Sequence, residues 1–264
     1  MFTETLPKTI ISLLCGCLLL SLAACSLNEK SVRPSWENGV LRVGVTPNYP
    51  CLIHKSPETG LISGFEAEAA ALLAQRLHSR LQFVELEWGE QIPALERKKV
   101  DIIMSAMSIT EMRKIRVAFS EPYLTISQMA LTTKEAEGKF PSAQEILATR
   151  DAIGVEKGTT GDVFVQRYCP TAETLFFSSP DAAVQALRDK RIDLFIDDEP
   201  VLGAYAAEYG AEGLVLLKTR LTSEELAWAV HRADPALLKA VNSALESWKD
   251  DGTLQRLLKK WLPK

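Results

Sequence analysis

The chain has 264 residues, with 30 Lys and Arg against 34 Asp and Glu and a formal net charge of −4. That balance leaves no basic footprint for nucleic acid, and the histidines His54, His78 and His231 are too scattered for metal-ligand spacing with any cysteine. At 47% hydrophobic and 24% charged, the composition is that of an ordinary globular chain, long enough for one large core or two small ones.

Residues 1–24 read as a signal peptide: Lys8 gives a modest positive start, 10–20 is an apolar run too short to span a bilayer, and Leu22-Ala23-Ala24-Cys25 resembles a lipobox. On this reading Cys25 is acylated, becomes the first mature residue and anchors the exported protein to a membrane; an uncleaved membrane anchor is the alternative. Residues 25–37, polar and containing Pro34, form a tether.

Residues 40–45 alternate as a strand, and 46–50 form a loop that sets Tyr49 at its carboxyl end, where open α/β sheets bind ligands. A helix runs from Gly64-Phe65-Glu66 to about His78, with Leu72, Leu73 and Leu77 on one face and Glu66 and Glu68 in its first turn. A strand at 81–86 ends before Trp88. Ile92 and Leu95 mark a short helix, followed by a buried strand at 100–104 that closes on Ser105 and Ala106. This order predicts right-handed crossovers and a parallel sheet.

Ser108 and Thr110 precede Glu111 and Arg113, so either hydroxyl is positioned to cap a helix, and Arg113, five residues past Ser108, can fold back toward the same opening. A guanidinium there would meet a carboxylate through two parallel hydrogen bonds. Spacing alone favours ordinary caps and a solvated arginine. Further on, strands are expected at 129–133, 152–155 and 191–196, and helices near Asp162 and at 182–187. Residues 226–230 read as a return strand, and Asp234-Pro235 opens the first of two terminal helices, at 236–248 and 253–261. The loop 154–161 has neither the Walker nor the dinucleotide glycine pattern, so no cofactor is expected. Asp197, Asp198 and Glu199 would repel one another unless some meet a cation.

The run Asp101-Ile-Ile-Met-Ser-Ala-Met-Ser-Ile-Thr-Glu-Met-Arg113, with Val117-Ala-Phe-Ser-Glu-Pro-Tyr123 after it, closely resembles the signature of family 3 periplasmic solute-binding proteins, the amino-acid receptors of ABC importers. The resemblance extends from about residue 38 to the end. It implies a two-lobed α/β fold of the type II periplasmic-binding-protein kind with two hinge crossings: lobe one at 38–131, lobe two at 132–225, and a return to lobe one at 226–264. Arg113, the Ser108 hydroxyl and the neighbouring Ser105, Ala106 and Met107 would take the ligand's carboxylate. Tyr49 and Trp88 would cover its aliphatic part, Trp88 being equally readable as a core residue at a helix start. Thr159 and Thr160 would complete the carboxylate site from lobe two, and Asp198 would receive the α-ammonium. Glu156, less usual at its position, would face the ligand's side chain, and Glu66 replaces the family's common aspartate in a structural place. Cys51 and Cys169 fall in different lobes, where a bridge would freeze a hinge, so two unpaired thiols are expected. The implied partners are a free amino acid and importer membrane subunits, with a monomeric receptor held in the periplasm or at the cell surface.

Which amino acid binds is not legible: Thr46, where receptors for basic or amide ligands can carry an acid, argues against such a ligand, while Glu156 argues for one. A cyclohexadienyl dehydratase-like enzyme, with Glu156 or Asp198 as proton donor, and a sensory or adhesion module are the other readings this fold leaves open.

Overall fold

The computed structural model describes residues 36–262; the signal peptide, Cys25 and nearly all of the tether lie outside the described residues. Two five-stranded sheets organise the described part. In the first, Val40–Val45 lies between Arg80–Glu85 and Ile102–Ile103 and runs parallel to both. Ala229–Val230 then packs antiparallel against Ile102–Ile103 and against Ala118–Phe119. The wholly parallel sheet expected from the βαβ order is therefore mixed, because the chain comes back from the other lobe in the opposite direction.

In the second sheet Ala152–Glu156 runs parallel to Glu173–Phe177 and Leu194–Asp198, while Gln128–Thr133 is antiparallel to Leu194–Asp198 and Leu214–Leu216. A boundary at 131/132 cuts through Gln128–Thr133, all of which belongs to this second sheet. The single return strand expected at 226–230 is two short ones. Glu224–Leu226 pairs with Leu124–Ile126 where the outgoing and returning segments run side by side, and Ala229–Val230 joins the first sheet.

The fold positions the site through one buried carboxylate. Glu66, fully buried in the first turn of the helix Phe65–Arg76, accepts hydrogen bonds from the Ala106 backbone N–H (2.9 Å), the Tyr123 hydroxyl (2.6 Å) and Trp228 Nε1 (2.5 Å). Phe65, Tyr123 and Trp228 stack in succession beside it with ring centroids 5.0 and 5.3 Å apart, and Trp248 meets Trp228 edge-on at 6.1 Å. Gly64 makes the helix entry possible: its φ is +122°, and a Cβ there would lie 2.4 Å from the Leu52 carbonyl oxygen.

The terminal helices are Pro235–Asp250, capped by Asp234 through the Leu237 N–H, and Thr253–Trp261, whose Trp261 Nε1 donates to Glu68 at 2.7 Å. They dock on the helix Phe65–Arg76 of the first lobe. Cys51 and Cys169 are both free thiols.

Candidate functional site

The first half of the site is the chain leaving Ile102–Ile103. Ser105 Oγ accepts the Thr46 N–H at 2.8 Å, the Ala106 N–H is held by Glu66, and the Met107 carbonyl accepts the Ala227 N–H at 3.1 Å. Ala106 has φ +54°, a left-handed conformation unusual for a residue with a side chain, and these three anchors hold it there. Ser108 bridges to Leu226. Thr110, rather than Ser108, supplies the cap: its Oγ1 accepts the Arg113 N–H at 3.2 Å, opening the single turn Glu111–Lys114.

Arg113 does fold back, and Nη1 donates to the Ser108 carbonyl at 2.8 Å. Its guanidinium carbon lies 5.2 Å from the centre of the Trp88 ring. Burial lowers the Arg113 pKa, and Asp198, Glu224 and Tyr49 oppose that shift by favouring its charge.

The second half comes from the other sheet. Thr159 caps Thr160–Tyr168, accepting the Asp162 N–H at 3.2 Å while donating to the Glu156 carbonyl at 2.8 Å, so its hydroxyl is engaged within its own lobe. Thr160 is the threonine that faces the cluster: its Oγ1 accepts from Gln128 Nε2 at 3.2 Å, and the same amide donates to Asp198 Oδ1 at 2.5 Å. Gln128 stands directly across the ladder from Asp198, so a cross-strand pair sets this contact. Gly161 permits the approach, since a Cβ there would come within 2.9 Å of Gln128 Oε1 and 3.1 Å of the Ile196 carbonyl oxygen.

The two halves meet. Trp88 Nε1 donates to the Gly158 carbonyl at 3.0 Å, and the Tyr49 hydroxyl donates to Asp197 Oδ1 at 3.3 Å. Burial raises the pKa of both Asp197 and Asp198, and their proximity to each other raises it further in Asp198. Burial likewise lifts Glu156 to about 7, with Asp198 and Glu87 adding to the rise and the Asn48 amide and Tyr49 hydroxyl opposing it. Glu199, by contrast, leaves the cluster to pair with Arg220 at 2.9 Å.

Of the residues singled out in the sequence, Tyr49, Trp88, Ser108, Arg113, Glu156, Thr160 and Asp198 converge here, whereas Ser105, Ala106, Met107 and Thr159 shape the loops that carry them. Three participants were not anticipated, Asn48, Gln128 and Glu224, and Asp197, noted in the sequence only as part of an acidic triplet, joins them. Gln128 had a signal, a polar residue entering a buried strand; Glu224 had none. Among the described residues no group of three His, Cys, Asp or Glu side chains is placed to hold a metal ion. A cation on one lobe faces carboxylates on the other, an arrangement that can grip the two ends of a zwitterion.

Comparison with known proteins finds amino-acid-binding relatives. L-cystine-binding protein TcyJ of Escherichia coli is 28% identical over 225 residues, 85% of this chain and 83% of that one. The ABC transporter glutamine-binding protein GlnH of Bacillus subtilis is 30% identical over 211 residues, covering 79% and 76% of the two chains. Among solved structures, an ancestral amino-acid-binding protein described as a precursor of cyclohexadienyl dehydratase superposes with a TM-score of 0.80 at 34% identity, covering 86% of this chain and 97% of that one. An ABC-transporter binding component from Wolinella succinogenes, complexed with lysine, gives 0.81 at 32% identity with the same coverage. Residues 41–264 match the family model, and the chain belongs to the bacterial extracellular solute-binding proteins, family 3.

Proposed function

We propose that this protein captures a free amino acid between its lobes and presents the closed form to the membrane subunits of an ABC importer. The observation that carries this is the division of the cluster between the lobes: Arg113 and Trp88 come from the first, and Asp198, Thr160 and Gln128 from the second. The α-carboxylate goes to Arg113 and the Ser108 hydroxyl, the α-ammonium to Asp198, and Tyr49 and Trp88 cover the aliphatic portion. Binding energy gained only when both lobes reach the ligand adds to the direct Trp88–Gly158 and Tyr49–Asp197 contacts and stabilises the closed form, the crossings beside Leu124–Ile126 and Glu224–Leu226 acting as the hinge. The ligand is released unchanged, in keeping with relatives that are named for binding.

A thermal-shift screen of the common amino acids tests this directly, because a ligand at a hundred times its Kd adds ~2.7 kcal/mol of stability. At least one should raise the melting temperature, and a folded protein that responds to none of them refutes the reading. The receptor acts outside the cytoplasm as a monomer, tethered by lipid on Cys25. Mass spectrometry of the native N-terminus should find that cysteine first and acylated; an unmodified Cys25 removes the anchor.

A further inference from the structure

A zwitterion uses one cation and one carboxylate of the cleft, and the cleft has more acid than that. Glu156 and Asp197 are 2% and 3% exposed, yet Glu156 Oε2 and Asp197 Oδ2 have no hydrogen-bond partner. Asn48 Oδ1, Gln128 Oε1 and Glu224 Oε2, in the same cluster, are also unpartnered. All five are acceptors once the two carboxyl groups are ionised, and the two carboxylate oxygens then remain acceptors whichever way the neighbouring amides are turned. Arg113 is the cation that bears on this set, through Asp198. Around Glu156 stand the Asn48 amide, the Tyr49 hydroxyl, Asp198 and Glu87, none of them a cation. Burial holds both carboxyl groups toward their protonated forms, and ionising them in place requires a charged, donor-rich partner.

The cue that pointed the other way, the absence of an acid at Thr46, stands in the fold, so any acceptor for a cation must come from elsewhere in the cleft. The Thr46 hydroxyl donates to the Leu86 carbonyl at 2.9 Å and accepts from Gln91 Nε2 at 2.9 Å, so it is satisfied within lobe one and offers the ligand nothing.

Resting on the amino-acid reading above, we infer that the ligand carries a cationic side chain, a guanidinium or a distal ammonium, and that Glu156 is the specificity-determining residue that receives it, with Asn48 and Asp197 supplying further acceptors. A guanidinium brings five N–H donors and a charge; an amide side chain brings two donors and leaves the carboxylate charge uncompensated.

Titration calorimetry with arginine, lysine, citrulline and glutamine separates these cases, citrulline being the neutral near-isostere of arginine. The wild type should favour arginine or lysine over its neutral counterpart by about 10–100-fold, the range expected for a charge-assisted hydrogen bond. In Glu156→Gln, confirmed folded by circular dichroism, the arginine-to-citrulline ratio should collapse toward one. Equal affinity for citrulline and arginine in the wild type, or an undiminished ratio in Glu156→Gln, overturns the assignment. Tight binding of a neutral amino acid without arginine or lysine overturns it too, while leaving amino-acid capture standing. Failure of every amino acid to bind overturns both.

Discussion

Arg113→Ala should weaken amino-acid binding by about 2–5 kcal/mol, the usual cost of removing one member of a desolvated charge pair. The guanidinium is held on two sides before any ligand arrives, by the Ser108 carbonyl at 2.8 Å and the face of Trp88 at 5.2 Å. That preorganisation lowers the conformational entropy lost on binding, so the loss on truncation is larger than for a free surface arginine. Arg113→Lys should recover only part of the affinity, because an ammonium has neither the planar fork for a carboxylate nor the flat face that stacks on indole. Calorimetry on both variants, with circular dichroism to establish folding, checks the expectation. Wild-type affinity in Arg113→Ala would remove the arginine from the site.

Local pattern made part of this legible. The strand Val40–Val45 and the helix Thr253–Trp261 lie where their periodicity places them, and Asp234 caps the helix that Pro235 begins, because side-chain spacing over one element decides each. The i to i+5 return of Arg113 to Ser108 is similarly local. What pattern did not reveal depends on partners far away in the chain. Ala229–Val230 is only two residues long, too short to show a period, and its antiparallel direction follows from the route through the other lobe. Asn48–Tyr49, read as loop, is a strand only because Ile53–Lys55 turns back to pair with it. Gln128 enters the site because it stands opposite Asp198, 70 residues away. Glu66, nominated as structural, owes its importance to donors 40, 57 and 162 residues distant.

The acids that equip the cleft for a cation should also make the empty protein unusually sensitive to alkali. The Glu156 carboxyl is raised from 4.5 to about 7, chiefly by burial, with Asp198 from its own lobe and Glu87 from the other adding to the rise and only the Asn48 amide and Tyr49 hydroxyl opposing it. Below about pH 4.5 the folded and unfolded chains both hold this proton. Between there and pH 7 the unfolded chain releases it while the folded one keeps it, so stability declines as pH rises, and the loss is complete above the folded value. A shift from 4.5 to about 7 corresponds to about 3 kcal/mol lost across that window. The Asp197–Asp198 pair is raised in the same direction and extends the decline. Urea unfolding of ligand-free protein should therefore show a higher midpoint near pH 5 than near pH 8, the reverse of proteins whose carboxylates are held by ion pairs. Glu156→Gln should flatten this slope and be more stable than wild type at pH 8. An unchanged slope in that variant would mean that Glu156 is already ionised in the open cleft. A saturating cationic ligand should likewise restore stability most at high pH, where the carboxylate it meets is charged. The same buried charge thus destabilises the empty receptor and selects what fills it.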